Sequence, residues 1–176
     1  RAKAAEALGP MGHAARSSAQ ALARALSASN WALGNSASHA LQQMGSAACT
    51  ASTTVAELVS LSTPQSSVDA FNALKYNPEL AGCASEQLSS ILENPNPWLR
   101  GRALEILSKA GERAQPAVPA LTRLLERRAD PAIPILAALG QIGAAGLGAS
   151  PQLAARLEDP DPEVRKATVE AIRRMG

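Results

Sequence analysis

The stretch from Ala40 to Gly45, ALQQMG, is one copy of a hexapeptide that the chain writes six times. The other copies are ALGPMG (7–12), ALKYNP (73–78), ILSKAG (106–111), ALGQIG (138–143) and AIRRMG (171–176). The pairs Ala7-Leu8, Ala40-Leu41, Ala73-Leu74, Ile106-Leu107, Ala138-Leu139 and Ala171-Ile172 follow one another by 33, 33, 33, 32 and 33 residues. A fixed period of this length is the signature of a repeat architecture. Four residues after each pair stands Gly12, Gly45, Gly111, Gly143 or Gly176, and in the third copy Pro78. Glycine and proline both end helices, so a first helix is predicted to stop at this slot in every unit.

Working outward, the positions 7, 10, 13 and 14 residues beyond the slot are Ala19, Leu22, Ala25 and Leu26 in the first unit, then Ser52, Val55, Leu58 and Val59. They continue as Ser85, Leu88, Ile91 and Leu92, then Val118, Leu121, Leu124 and Leu125, then Ser150, Leu153, Arg156 and Leu157, where Arg156 is a charged intruder. This is helical spacing, so each unit carries a second amphipathic helix. The units meet at breaks rich in turn residues: Ser29-Asn30, Thr63-Pro64, Asn94-Pro95-Asn96-Pro97, Asp130-Pro131 and Asp159-Pro160-Asp161-Pro162. There Asn or Asp can accept the free amides of the next helix, and proline suits its first turn. One such hairpin cannot bury its apolar face, whereas stacked neighbours share a continuous core.

Composition agrees with close helix packing. Apolar residues make up 46% of the 176, yet Trp31, Phe71, Tyr76 and Trp98 are the only aromatics, so the core must be Ala, Leu, Ile and Val. Seventeen basic and fifteen acidic residues leave a net charge of +2, far from the basic excess of a nucleic-acid-binding domain. Residues 1–88 hold five of each sign, and 89–176 hold twelve basic and ten acidic. No apolar run is read as approaching the roughly 20 residues that cross a bilayer, and no secretory signal is present. Cys49 and Cys83 are too few for a disulfide framework and have no CxxC spacing, so they are expected to be small buried thiols in a reducing intracellular setting, the cytosol or an organelle interior.

The stretch from 159 to 176, DPDPEVRKATVEAIRRMG, resembles a HEAT-type repeat, most of all the short Ala-rich subtype of bilin-lyase-like proteins. The units near 96 and 161 match well, with Leu99-Arg100 and Val164-Arg165 in the V/L-R position; the units near 30 and 63 carry Leu33-Gly34 and Ser66-Ser67 there. The resemblance implies polar ladders between repeats, for which Asn96 with Arg100 and Asp161 with Arg165 are the fitting positions. It also implies second helices that line a concave binding side. By repeat phase the side chains exposed there are Arg24, Glu57, Gln87, Ser90, Arg123, Glu126 and Gln152.

The chain begins with Arg1, in phase with Arg100 and Arg165, and Gly176 closes a first helix, so the expectation is a piece of a longer array. Its candidate chemistry is sparse. His13 and His39 lack the adjacent Glu of the HEAT-type metal enzymes, so no metal or other cofactor is expected. The glycines of GQIGAAGLG (140–148) precede no Lys-Ser/Thr and follow no strand, and read as a loose turn rather than a phosphate loop. Trp31 and Trp98 lie within one position of each other in phase; each reads as packing over the turn or as an exposed anchor for a partner. Arg123, Arg127 and Arg128 are interleaved with Glu126 and Asp130, a self-paired face rather than a phosphate site. Glu93, Glu126 and Glu158 share one phase at the ends of second helices, where carboxylates are unfavourable without compensation, and Arg100 and Arg165 are the expected compensators.

The expected architecture is therefore all-α, a right-handed armadillo-like α-solenoid of about five and a half helical-hairpin repeats of 32–33 residues. It is read as a single domain over 1–176, with repeats at 1–29, 30–62, 63–95, 96–128, 129–160 and 161–176. The expected function is a non-catalytic scaffold for protein partners in a larger assembly, with no transmembrane segment. On the subtype resemblance, a pigment-protein or other organellar assembly is its most particular form. A nucleic-acid-binding HEAT-like module would need a basic stripe, and a bilin-lyase-like enzyme would need catalytic residues; neither is found in the sequence.

Overall fold

A computed structural model describes residues 1–28, 30–60, 64–128 and 131–176. Of the predicted breaks, Ser29, Thr63 and Asp130 lie outside the described residues. Among those described there are twelve α-helices and no strand. The first helices of the repeats are α1 (Ala2–Leu8), α3 (Trp31–Gln43), α5 (Pro64–Lys75), α8 (Pro97–Ala110), α10 (Ala132–Ile142) and α12 (Pro162–Met175). The second helices are α2 (Ala19–Ala25), α4 (Ser52–Ser60), α7 (Ser85–Leu92), α9 (Val118–Arg127) and α11 (Ser150–Arg156). The remaining helix, α6 (Pro78–Cys83), belongs to the third repeat alone. Each second helix starts at the residue seven beyond the slot, as the phase predicts.

The helix starts use the predicted chemistry. Asn30 Oδ1 accepts from the Leu33 amide at 3.1 Å, Asn96 Oδ1 from Trp98 at 3.0 Å and Asp161 Oδ1 from Glu163 at 2.9 Å. Pro97 and Pro162 then occupy the first turn, where a missing N–H costs nothing. At the other end, Gly45, Gly111 and Gly143 have φ of +55°, +58° and +71°. With ψ of −136° at Gly111 and −145° at Gly143, the backbone occupies a region essentially closed to other residues.

After this glycine the chain does not loop freely. A seven-residue 3₁₀ segment follows in four repeats: Gly12–Ser18, Gly45–Ala51, Gly111–Ala117 and Gly143–Ala149. Such a helix has three residues per turn, so its inward positions fall at every third residue. Those three residues beyond the slot are Ala15, Ala48, Ala114 and Gly146, all buried. The expected loose turn at 140–148 is thus corrected: Gly140 lies within the last turn of α10, and Gly143–Ala149 is regular 3₁₀ structure. The third repeat departs from the pattern, because Asn77 and Pro78 start α6 where the others place glycine.

The chain forms two compact units, Arg1–Gln87 and Leu88–Gly176, with the boundary inside α7. In the first, α1 packs on α3, α3 on α5, and α2 and α4 against them. Helices approach closely at Gly9, where an added Cβ would lie 3.0 Å from the Ala40 Cα. In the second unit α10 lies between α8 and α12, and Gly140 makes the same approach to the Ala171 Cα at 3.0 Å. The core is aliphatic as composition requires: Leu26, Leu41, Leu74, Leu107, Leu121, Leu125, Ile135 and Leu136 are fully buried.

One sequence reading needs revision here. Contrary to the expectation that no apolar run approaches a membrane span, an 18-residue window within 132–156 reaches its length and apolar character, with a mean hydropathy of 1.6. The backbone explains why it is not one rod: α10 ends at Ile142 and the chain turns at Gly143 before α11 begins at Ser150. Eleven helical residues span about 16 Å, against a hydrocarbon core of about 30 Å.

Candidate interaction surface

The second helices carry the seven residues singled out by phase. Arg24 on α2, Glu57 on α4, Ser90 on α7, and Arg123 and Glu126 on α9 are exposed; Gln87 on α7 and Gln152 on α11 are half-buried. In the second unit the structure brings several of them together. Gln152 Nε2 donates to Glu126 Oε1 at 2.7 Å, and Arg123 Nε donates to Glu93 Oε1 at 3.4 Å, joined there by Arg127. In the first unit Gln20 Nε2 donates to Thr54 Oγ1 at 2.7 Å, linking α2 to α4. Polar side chains thus tie α2 to α4 in the first unit, and α9 to α11 and to the end of α7 in the second. The sequence reading missed Gln20 and Thr54 because neither shares a phase with the acidic row.

That row is compensated differently from expectation. Glu93 is met by Arg123 and Arg127 from the next second helix, so two members of the basic cluster pair across repeats. Asp130 lies outside the described residues. Arg165 Nη1 instead donates to the carbonyls of Asp159 at 2.7 Å and Pro160 at 3.0 Å. Arg100 Nη1 makes the same bonds to Asn94 at 2.8 Å and Pro95 at 2.9 Å. These arginines therefore clasp the loop before their own helix, and Asn96 and Asp161 cap that helix.

Arg156 is buried, only 6% exposed. It donates to Asp159 Oδ2 at 2.8 Å and to the Leu125 carbonyl, spanning α9 and the end of α11. That hydrogen bond, with another from the Asp161 amide, holds the Asp159 carboxyl below its ordinary range. Beside it, Leu125, Glu126, Arg128, Gln152, Ala155 and Arg156 line a cleft of about 220 Å³. Arg128 has φ +53° and ends α9, the sole non-glycine residue with positive φ among those described.

Two further expectations are overturned. Trp31 and Trp98 do not pack over the turn: they are 64% and 58% exposed, and the Arg102 guanidinium stacks 4.4 Å above the Trp98 ring. Their place at the solvent-facing start of a helix leaves most of each ring in water. The cysteines are not buried thiols: Cys49 and Cys83 form a disulfide with Cα atoms 5.6 Å apart, and Cys83 is exposed. Their separation of 34 residues is one repeat plus one, which brings them side by side in adjacent repeats. The ground for a reducing setting, two unpaired thiols, is thereby removed. His39 is exposed, and His13 Nε2 lies 3.3 Å from Ser46 Oγ.

Paired helices, period and turn geometry together define an α-solenoid of helical repeats. Solved structures that share the fold include the following three. Two are engineered proteins from the Northeast Structural Genomics Consortium: one has TM-score 0.57 at 17% identity over 99% of this chain and 88% of its own. The other has TM-score 0.56 at 18% identity over 99% of this chain and 53% of its own. The third is a computationally designed armadillo repeat protein for modular peptide recognition, with TM-score 0.55 at 16% identity over 99% and 92%. Residues 150–176 match the HEAT repeat family model. The chain has the fold of an armadillo-like α-solenoid, and its segment 150–176 is similar to a HEAT repeat. No curated protein gives a significant match.

Proposed function

We propose that the chain is a non-catalytic scaffold that binds a protein partner through its second helices. The observation that carries this reading is the polar lacing of those helices by Gln20–Thr54, Glu93–Arg123 and Glu126–Gln152. Side chains held in this way lose less freedom on binding, so the surface is organised before a partner arrives. Its charge is mixed, which suits a polypeptide carrying both signs. A duplex fits poorly, because Glu93 offsets half of the positive charge of Arg123 and Arg127. The resemblance to a repeat protein designed for peptide recognition agrees in fold with this use.

Lysines offer no handle on this face: Lys3, Lys75, Lys109 and Lys166 all lie on first helices. The test is therefore site-specific. A photocrosslinking residue is placed at Arg24, Glu57, Ser90 or Ala155 on second helices, and at Lys3, His39 or Lys166 on first helices. Capture of one and the same protein from at least two second-helix positions and from no first-helix position supports the proposal. Capture from first helices only, or salt-sensitive recovery of nucleic acid without protein, overturns it.

A further inference from the structure

The third repeat breaks the turn pattern, carries polar residues in its core, and is joined to the second repeat by the disulfide. These three departures have one physical explanation. By phase, Ser38 stands where the second unit has Leu104 and Leu136, and Ser66 stands where it has Leu99 and Val164. Ser38, Ser66, Ser67 and Asp69 are all buried at or beside the packing of α3 and α5. Ser38 Oγ donates to the Asp69 carbonyl at 2.8 Å. At these two positions the packing holds hydroxyls where the second unit holds aliphatic carbons, and apolar burial is the main favourable term between stacked repeats. Two devices hold the repeats together instead. Asn77, buried, donates through Nδ2 to the carbonyls of Leu41 at 2.7 Å and Gly45 at 3.0 Å, while its Oδ1 accepts from the Leu80 amide at 3.0 Å. The Cys49–Cys83 bond is the second, joining the 3₁₀ turn of one repeat to the end of α6 in the next.

We infer that this disulfide is a thiol–disulfide exchange site, opened by dithiol reductants at Cys83 Sγ, and that it controls whether the second and third repeats stay packed. Cys83 is the exposed partner and Cys49 is half-buried in its turn, so an incoming thiolate meets the Cys83 sulfur first. Attack by one thiolate of the dithiol breaks the protein S–S bond, forms a mixed disulfide with Cys83 and releases Cys49 as thiolate, which takes up a proton. The second thiolate of the reductant then attacks its own sulfur in that mixed disulfide and frees Cys83. The sum is one protein disulfide reduced to two thiols and one dithiol oxidised to a disulfide. The bond closes a loop of 34 residues, for which the chain-entropy model gives a several-hundred-fold change in the opening equilibrium, about 600-fold.

The experiment is hydrogen–deuterium exchange with mass spectrometry on the full chain, oxidised and after treatment with dithiothreitol, with iodoacetamide counting free thiols in each sample. The expected result is no alkylation before reduction and two alkylated cysteines after it. Exchange in 45–51 and 78–83 then rises by at least about 100-fold, while α12 is unchanged. The C49S/C83S variant should exchange like the reduced protein and ignore dithiothreitol. The inference is overturned if the untreated protein alkylates at both cysteines, or if exchange in 45–83 stays the same with both thiols confirmed free. Wild type alone decides the matter should the variant fail to fold.

Discussion

Leu107 and Ile172 occupy the same phase, four residues before the slot, in α8 and α12 of one compact unit. Leu107 is fully buried, whereas Ile172 is 40% exposed. Replacing either by alanine removes three carbons, which at about 0.8 kcal/mol per buried methylene is about 2.4 kcal/mol of transfer energy when burial is complete. At Leu107 the emptied space is enclosed, so a cavity term adds to this and the expected cost is about 3–4 kcal/mol. At Ile172 the transfer part falls to about 1.4 kcal/mol, no closed cavity forms, and alanine returns about 0.4 kcal/mol of helix propensity, leaving about 1 kcal/mol. The assay is urea unfolding followed by circular dichroism at 222 nm. L107A and I172A should differ by about 2–3 kcal/mol at unchanged slope. Costs equal to within about 0.5 kcal/mol, or a loss below about 1.5 kcal/mol for L107A, would refute the packing assigned to this phase.

Gly111→Ala and Gly143→Ala place a Cβ in backbone that disfavours it, so each should cost about 1–3 kcal/mol in thermal or urea unfolding. Glu170 is held at about 2, against its usual 4.5, by hydrogen bonds from Arg173 and then Arg174. Its lowered folded value means that its contribution is present above pH 4.5 and is lost as pH falls toward 2. Carboxyl NMR should therefore show a midpoint near 2, and R173A/R174A should return it toward 4.5. Glu93→Ala removes an exposed pair and should change stability by less than about 1 kcal/mol, with the difference shrinking further at 1 M salt in the same urea assay.

Much of the fold is legible because two constraints recur with the repeat. The slot needs positive φ, which selects glycine, and the apolar face needs Leu or Ile at fixed offsets. Ser52, Val118 and Ser150 begin helices as the phase requires. The 3₁₀ turn was missed although it leaves a trace, small residues three apart in GSAACTA (45–51) and GERAQPA (111–117), a period different from the one being sought. The disulfide was missed because neither cysteine belongs to a motif, and only the stacked geometry brings residues 34 apart in sequence to 5.6 Å. Five of the seven surface residues were legible as exposed positions, Gln87 and Gln152 being half-buried, but their partners were not. Glu93 lies seven residues before Arg100 in sequence, yet the helix carrying Arg123 and Arg127 is its neighbour in space. Long flexible side chains choose partners by proximity across repeats, which a period along the chain does not reveal.

The central claim is that the second helices form the binding surface, and the affinity of the captured partner for charge-reversed chains tests it most directly. By isothermal titration calorimetry, Glu57→Arg on α4 or Glu126→Arg on α9 should weaken binding by about 10-fold or more, about 1.4 kcal/mol. Lys3→Glu and Lys109→Glu on first helices should change it by less than about 2-fold. The opposite pattern, with binding indifferent to second-helix reversals and lost through Lys3 or Lys109, would contradict the account.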